Sequence, residues 1–126
     1  MADAPGTGRR ILVADDEESV RFVAQRILER SGFDVTLAAD GPETITAVQS
    51  SGPFDLLLLD VNMPGMSCEE TVTAALDAAP ELPIVLCSGL TGEEAELRTA
   101  RSLTRGFLQK PFRFQELLDA IESAAG

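Results

Sequence analysis

The sequence predicts an α/β fold built around a mostly parallel, five-stranded sheet. Short apolar runs alternate along the chain with amphipathic segments of helical length, which is the pattern of repeated strand–helix units. The run Leu56–Leu59 consists only of leucine and has no polar face, as expected of a strand buried on both sides or of a piece of buried helix. With 126 residues, of which 44% are hydrophobic, the chain has the length and composition of one globular domain.

The strands are predicted from five short apolar runs. In chain order they are Ile11–Ala14, Asp34–Ala38, Leu56–Leu59, Ile84–Cys87 and Phe107–Gln109. The amphipathic segments that follow them are predicted helices, namely Ser19–Arg30, Pro42–Gln49, Cys68–Ala78, Glu93–Leu103 and Phe114–Ser123. Together these elements make up five strand–helix units.

Local patterns support the helix assignments. The first helix carries apolar residues on one face, at Val20, Val23, Ile27 and Leu28. Ser31-Gly32 predicts the end of this helix. Three later helices begin with the spacing of a capping box, at Asp40 with Glu43, Ser67 with Glu70, and Thr91 with Glu94.

Polar groups follow four of the five predicted strands. These groups are Asp15-Asp16 after the first strand, Asp60 after the third, Ser88 after the fourth and Lys110 after the fifth. The carboxyl ends of parallel strands lie along one edge of the sheet, where ligands bind in such folds. We therefore expect these side chains to meet at one edge. The second strand ends in Ala38-Ala39, which suggests a peripheral position in the sheet.

Asp15, Asp16 and Asp60 are the strongest candidates for a functional site. A single carboxylate after a strand is a helix cap or a turn residue about as often as it is part of a functional site. Three carboxylates at close range repel one another unless a cation lies between them. Oxygen ligands without histidine or thiolate suit a hard divalent ion, so the sequence predicts a Mg²⁺ site.

Lys110 is the only lysine among ten basic residues, which suggests a local need for an ammonium group rather than a guanidinium. A solvated surface lysine is the ordinary alternative. With Lys110 and Mg²⁺ neutralising negative charge, Asp60 has the position of a nucleophile toward a phosphoryl group. Ser88, before Gly89, is either a turn residue or a hydrogen-bond donor to a phosphoryl oxygen.

The composition argues against nucleic-acid binding, zinc or disulfide sites, and insertion into a membrane. The net charge of −11 disfavours direct binding of nucleic acid. Cys68 and Cys87 are far apart in a chain without histidine, so neither zinc nor a disulfide is predicted and both are expected to be reduced. No apolar run is long enough to cross a bilayer, and a cytoplasmic location without membrane insertion is expected. Residues 1–9 are expected to form a flexible tail and residues 10–126 a single domain without an output domain.

From Arg10 to about Ser123 the chain resembles the receiver domain of two-component response regulators. The resemblance rests on VADDEE after the first strand, LLLLDVNMPGM around the third, SG after the fourth and FLQKPF at the fifth. It implies a flavodoxin-like (βα)5 fold, a doubly wound parallel sheet with strand order 2-1-3-4-5. The joint occurrence of the four motifs is specific, whereas each motif alone is weak.

The resemblance implies that Asp60 is the phosphoacceptor, which receives a phosphoryl group from a histidine kinase or a histidine phosphotransfer protein. Asp16 matches a direct Mg²⁺ ligand, and Asp15 matches a ligand that acts largely through water. Asn62 matches the position whose backbone carbonyl completes the metal site. Such a domain is not an enzyme, apart from self-catalysed transfer to, and hydrolysis from, its own aspartate.

The resemblance also implies a conformational switch. Ser88 matches the Ser/Thr that moves toward the phosphoryl group, and Lys110 matches the salt-bridge partner of that group. Phe107 matches the aromatic position that turns inward in response, but it has no hydroxyl, so only packing is left to fix its position. Pro111 matches a proline that follows a cis peptide bond. Cys68 stands where the family usually has glycine, and we have no functional account of it.

The implied readout of the switch is a surface of the fourth predicted helix, the fifth strand and the fifth helix, which we call the output surface. A partner protein or a second copy of the chain is expected to bind there. Arg98, Arg101 and Arg105 lie at helical spacing on the fourth predicted helix, next to this surface. A solvated face paired with acids such as Glu94 is the favoured interpretation of these arginines, and contact with an acidic partner is the alternative.

Other functions fit the motifs less well. A haloacid dehalogenase-like aspartyl phosphatase needs a general acid two residues after its nucleophile, and that position is Asn62. A flavodoxin-like nucleotide binder needs a phosphate-binding loop after the first strand, where this chain has an acidic pair. A receiver-like interaction module without phosphorylation is disfavoured because every chemical position is filled. Whether the chain is a stand-alone regulator or the receiver of a hybrid histidine kinase stays open.

Overall fold

The computed structural model describes residues 8–61, 63, 65–88, 104–110 and 112–125. The strands are β1 (Arg10–Ala14), β2 (Asp34–Ala38), β3 (Leu56–Asp60), β4 (Ile84–Ser88) and β5 (Gly106–Gln109). The helices within the described ranges are α1 (Glu18–Arg30), α2 (Gly41–Ser51), α3 (Cys68–Ala78) and α4 (Phe114–Ala125). The predicted helix Glu93–Leu103 lies outside the described residues. None of the helices described is long and apolar enough to cross a membrane.

The strands form one parallel sheet in the order β2-β1-β3-β4-β5, which confirms the predicted fold class and strand order. β2 lies at one edge, as its apolar end suggested. Ala14 of β1 is in register with Leu59 of β3, and Asp60 is in register with Cys87 of β4. Because these neighbouring strands end at the same level, the residues that follow them meet at one edge of the sheet.

The leucine run of β3 is buried on both sides of the sheet, as predicted. Leu57 and Leu59 belong to an apolar core that includes residues of α2 and α3. Leu56 and Leu58 belong to the core on the opposite side, which includes residues of α1 and α4. All four side chains are at most 3% exposed. A strand clamped between two cores is a rigid support for Asp60, the residue in which it ends.

The boundaries of four strands differ from the prediction by one residue: β1 and β5 begin one residue earlier, and β3 and β4 end one residue later. Asp60 and Ser88 were expected just after their strands, but each is the last residue of its strand. The reason is that the ladder extends one residue further, since Asp60 pairs with Cys87 and Ser88 pairs with Gln109. Both polar side chains are therefore held by strand backbone and not by a turn.

The predicted apolar face of α1 is partly wrong. Ala24 and Leu28, one turn apart, are buried in the core, whereas Val23 is 52% exposed. Successive residues of a helix are rotated by about 100°, so a helix that turns Ala24 toward the sheet turns Val23 toward solvent. Phe22 is exposed as well. The result is an apolar patch on α1 that the sequence pattern assigned in part to the core.

Candidate functional site

Asp15, Asp16 and Asp60 form a carboxylate cluster at the carboxyl edge of the sheet. One carboxylate oxygen from each residue lies within 4.8 Å of the other two. Asp15 and Asp60 are 3% and 5% exposed, whereas Asp16 is open to solvent. Asp15 and Asp60 are therefore shielded from solvent, and solvent reaches the cluster from the side of Asp16.

The backbone around Asp15 is fixed by hydrogen bonds on both sides. Its N–H donates to the carbonyl of Ala38 (3.1 Å), which continues the β1–β2 ladder by one residue. Its side-chain Oδ1 accepts from the N–H of Glu17 (2.9 Å), and its carbonyl accepts from Nη1 of Arg21 (2.6 Å). The turn between β1 and α1 thus holds Asp15 in one orientation.

Lys110 supplies the positive charge of the cluster. Its Nζ lies 2.6 Å from Oδ2 of Asp15 and 3.4 Å from Oδ1 of Asp60. Its own N–H donates to the carbonyl of Ser88 (2.8 Å), so the base of the side chain is anchored to β4. Burial by itself lowers the pKa of Lys110, but the hydrogen bond with Asp15 and the charges of Asp60 and Asp15 outweigh burial, and the net pKa is raised. Lys110 is consequently a cation at neutral pH.

Two further side chains lie where β4 ends. Ser88 is buried, at 4% exposure. Cys87 is buried too, and the pKa of its thiol is raised to about 12. Burial is the largest cause; the charge of Lys110 lowers this pKa, and the charges of Asp60 and Asp15 raise it. Phe107 on β5 pairs with Leu86 and packs, half-buried, against the core on the α2–α3 side of the sheet. The switch candidates Ser88 and Phe107 thus lie on adjacent strands.

The other residues predicted from the sequence lie partly outside the described residues and partly away from the cluster. Asn62 and Pro111 lie outside the described residues, as do Arg98 and Arg101. The placement of Arg105 on the fourth helix is wrong: it lies in an exposed bend just before β5, because its N–H donates to the carbonyl of Ile84 in β4 (2.9 Å). Cys68 is the first residue of α3 and is buried in the core.

The structure adds features that the sequence pattern did not reveal. The contact of Arg21 with the Asp15 carbonyl is one, since arginine on the first turns of a helix is ordinarily a solvated residue. A second is a groove of about 300 Å³ lined by Phe22, Val23, Arg26, Ile27, Arg30 and Phe114. Phe114, which is 45% exposed, adds to the apolar surface of α1 from another helix, and no pattern in the sequence indicates this proximity.

The chemistry of the cluster fits a hard divalent cation. All of its donors are oxygens, and Mg²⁺ typically binds through one or two carboxylates while keeping several waters. The open side at Asp16 leaves room for such waters. The ammonium group of Lys110 beside the buried carboxylate of Asp60 also places a positive charge where an anionic group would approach that carboxylate.

The family model of the response regulator receiver domain matches residues 11–122 of the chain. Among curated relatives, the chemotaxis protein CheY of Pseudomonas aeruginosa is 31% identical over 115 residues, covering 90% of this chain and 93% of that protein. The DNA-binding transcriptional regulator NtrC of Rhizobium meliloti is 30% identical over 118 residues. That match covers 94% of this chain but 24% of NtrC, so the chain spans about a quarter of that relative.

Solved structures have the same fold. The chemotaxis response regulator CheY4 of Vibrio cholerae gives a TM-score of 0.84 at 30% identity, covering 94% of this chain and 99% of that one. The response regulator protein TrrA of Thermotoga maritima, in complex with Mg(2+)-BeF, gives a TM-score of 0.81 at 28% identity, covering 92% and 98%. Sequence and fold similarity therefore extend over nearly the same part of the chain.

Proposed function

The chain belongs to the response regulator receiver domain family, and on that premise we propose that it is the Mg²⁺-dependent phosphoacceptor of a two-component phosphorelay. The observation that carries the proposal is the cluster of Asp15, Asp16 and Asp60 with Nζ of Lys110 between two of the carboxylates. We propose Asp60 as the phosphorylated residue because it lies at the end of the central, doubly buried strand. The protein acts as a regulator and not as an enzyme with a separate substrate.

The proposed chemistry is an in-line displacement at phosphorus. A carboxylate oxygen of Asp60 attacks the phosphoryl group, and the bond between phosphorus and the histidine nitrogen of the donor breaks. Lys110 neutralises negative charge on the phosphoryl oxygens, and the hydroxyl of Ser88 donates a hydrogen bond to one of them. Asp15, Asp16, Asp60 and the backbone carbonyl of Asn62 would hold Mg²⁺, which would supply further positive charge to neutralise the phosphoryl oxygens.

The added phosphoryl group brings a charge of about −1.5 to −2. This charge attracts the Ser88 hydroxyl toward Asp60, and we propose that Phe107 on the neighbouring strand turns inward to fill the space. The consequence is a change in the output surface, where a partner protein or a second copy binds. Such a two-state surface converts a local charge into a signal.

We propose that the phosphodonor is a histidine kinase or a histidine phosphotransfer protein that docks in the groove between α1 and α4. Both helices begin at the edge of the sheet that carries the carboxylates. Phe22 and Phe114 expose apolar rings there, and the guanidinium of Arg26 lies 5.6 Å from the Phe22 ring centroid. The chain has a net charge of −11, but this groove carries the positive charges of Arg26 and Arg30 beside its apolar surface. We therefore expect the phosphodonor to bind here through a helix with an apolar face flanked by acidic residues.

The test is phosphorylation of the purified protein by acetyl phosphate, with and without Mg²⁺, read by intact mass. We expect a Mg²⁺-dependent gain of one phosphoryl group that disappears in Asp60→Asn. Asp77→Asn, which removes the same charge from the exposed side of α3, is the matched control and should label like the wild type. Failure to label, and failure to form a beryllofluoride complex, would contradict the proposed function and leave a receiver-shaped interaction module.

A further inference from the structure

The turn between β1 and α1 carries two of the three carboxylates of the cluster, those of Asp15 and Asp16. Asp15 follows β1 directly, and its N–H donates to the carbonyl of Ala38 (3.1 Å). Oδ1 of Asp15 accepts from the N–H of Glu17 (2.9 Å). Asp16 lies between these two anchored residues and is exposed. The position of its carboxylate is therefore set by the peptide groups that flank it, the first of which joins it to Asp15.

The peptide group between Asp15 and Asp16 is bound by Arg21, a half-buried residue near the start of α1. Nη1 of Arg21 donates to the carbonyl of Asp15 at 2.6 Å, which is a short, charge-assisted hydrogen bond. Because a peptide group is planar, a fixed carbonyl on Asp15 also fixes the orientation of the N–H of Asp16. Arg21 thus constrains the direction in which the chain leaves Asp15, and with it the position of the Cα atom of Asp16.

The start of α1 is fixed differently from the starts of α2 and α3. Asp40 and Ser67 cap α2 and α3 with their side chains. Among the residues described, Glu17 at the N-cap of α1 makes no capping bond with its side chain. Its carbonyl instead accepts from the N–H of Arg21 (3.1 Å), so the base of the Arg21 side chain is held by the first turn of the helix. From this base, the guanidinium binds the Asp15 carbonyl and ties α1 back to the turn in place of a cap.

We propose that Arg21 is a positioning residue for the Mg²⁺ site. It holds the peptide group between Asp15 and Asp16 so that the Asp16 carboxylate stays within reach of Asp15 and Asp60. Arg21 contributes no ligand and acts through the backbone of Asp15. The inference rests on the proposed function, because it concerns the same metal site, and the contacts that carry it lie in the turn between β1 and α1.

The charge of Arg21 acts against this role, which makes the role testable. A guanidinium bound to the backbone of Asp15 lies close to the carboxylates and repels a cation bound there. If Arg21 were only a solvated helix residue, its removal would strengthen Mg²⁺ binding or leave it unchanged. Loss of the hydrogen bond has the opposite effect, because the Asp16 carboxylate would then spend part of its time away from the site. The direction of the change in Mg²⁺ affinity therefore distinguishes the two roles.

The test compares Mg²⁺ affinity in the wild type, Arg21→Met and Arg9→Met. Mg²⁺ dissociation constants are measured by following amide resonances in NMR titrations, and urea unfolding with a chelator present is followed by circular dichroism. Arg9→Met is the matched control, since it removes the same charge from an exposed residue just before β1, at the end of that strand opposite the cluster. Changes in the residues that orient metal ligands typically weaken affinity by roughly 10- to 100-fold. We expect Arg21→Met to raise the dissociation constant by about tenfold and Arg9→Met to leave it unchanged.

A double variant tests whether Arg21 acts through Asp16. In Asp16→Asn the carboxylate that Arg21 is proposed to position is already replaced by a neutral amide. Adding Arg21→Met should therefore leave the dissociation constant of Asp16→Asn unchanged, as expected of two residues that act as one unit. A further loss of about tenfold in the double variant would mean that Arg21 acts on the site by another route, and it would overturn the inference.

Stronger or unaltered Mg²⁺ binding by Arg21→Met would overturn the inference too, whatever the stability of the variant. Should Arg21→Met not fold, Arg21→Gln removes the same charge with a shorter polar side chain, and the same outcomes decide. Absence of any Mg²⁺ binding to the wild type would instead refute the proposed function, which separates the two failures.

Discussion

The half-buried Lys110 offers the sharpest test of the charge balance in the cluster. Lys110→Met removes the cation that lies 2.6 Å from Asp15 and 3.4 Å from Asp60, and it leaves two buried carboxylates facing each other. Removing one partner of a buried ion pair costs about 3–5 kcal/mol. The Lys110 side chain is still 15% exposed, which favours the lower end of that range. We therefore expect the free energy of unfolding in the absence of Mg²⁺ to fall by about 3 kcal/mol.

The measurement is urea unfolding in the presence of a chelator, followed by circular dichroism because the chain has neither tryptophan nor tyrosine. Arg105→Met is the matched control, since it removes one positive charge from an exposed residue just before β5. Mg²⁺ at 100 times its dissociation constant adds about 2.7 kcal/mol to a folded state that binds it. In Lys110→Met the ion no longer competes with Lys110 for the carboxylates, so Mg²⁺ should restore much of the lost stability.

Two outcomes would refute this reasoning. One is a Lys110→Met variant that unfolds, without Mg²⁺, at the same urea concentration as Arg105→Met. The other is a large loss of stability that Mg²⁺ does not reduce, because this would mean that Lys110 stabilises the fold by packing and not by neutralising the carboxylates. Lys110→Arg keeps the positive charge but changes the shape of the side chain. Because the planar guanidinium does not fit the site as the ammonium group does, we expect this variant to lie between Lys110→Met and the wild type in its free energy of unfolding.

Three further predictions follow from the same geometry. Because the pKa of Lys110 is raised above 10.5, the stability that its ion pairs contribute is complete below about pH 10.5 and is lost as the pH rises through the folded-state pKa. The difference in the free energy of unfolding between wild type and Lys110→Met should therefore be constant from about pH 7 to 9 and become smaller only in stronger alkali. Since burial raises the pKa of Cys87 to about 12, its thiol should not react with Ellman's reagent at about pH 8 in a Cys68→Ala background until urea unfolds the protein, and rapid reaction of the folded protein would contradict that burial. Phe22→Ala should raise the KM for a phosphorylated donor protein by about tenfold, as expected for an aromatic docking residue, and should leave labelling by acetyl phosphate unchanged.

Much of the fold was predictable because it depends on patterns that are local in sequence. The leucine run, the alternation of strands and helices, and the cap at Ser67 are each encoded within a few residues, and all agree with the structure. The meeting of Asp15, Asp16 and Asp60 followed from one general rule, that parallel strands end at a common edge. Strand ends were less predictable, because pairing with a neighbouring strand decides whether Asp60 belongs to the ladder.

Features that depend on the exact rotation or approach of helices were not predictable. Val23 fits the apolar face of α1 by spacing alone, yet Ala24 is the residue that contacts the sheet, since its small side chain permits close packing. The close approach of Gly41, the first residue of α2, to Met66 is a second example, since a Cβ on this glycine would lie 2.7 Å from Cβ of Met66. The two residues are far apart in sequence, and a glycine at the start of a helix gives no indication of its partner across the interface.

The hydrogen-bond geometry also predicts a division of roles between Asp15 and Asp16 at the proposed metal site. Both oxygens of Asp15 are engaged, Oδ2 by Lys110 and Oδ1 by the N–H of Glu17, whereas Asp16 is exposed. A metal ion that keeps most of its waters is thus expected to bind Asp16 directly and Asp15 through water. Asp16→Asn should therefore weaken Mg²⁺ binding more than Asp15→Asn, although each substitution removes one charge from the cluster. Calorimetric titration of the two variants measures the difference, and a larger loss for Asp15→Asn would mean that Mg²⁺ displaces Lys110 from Asp15.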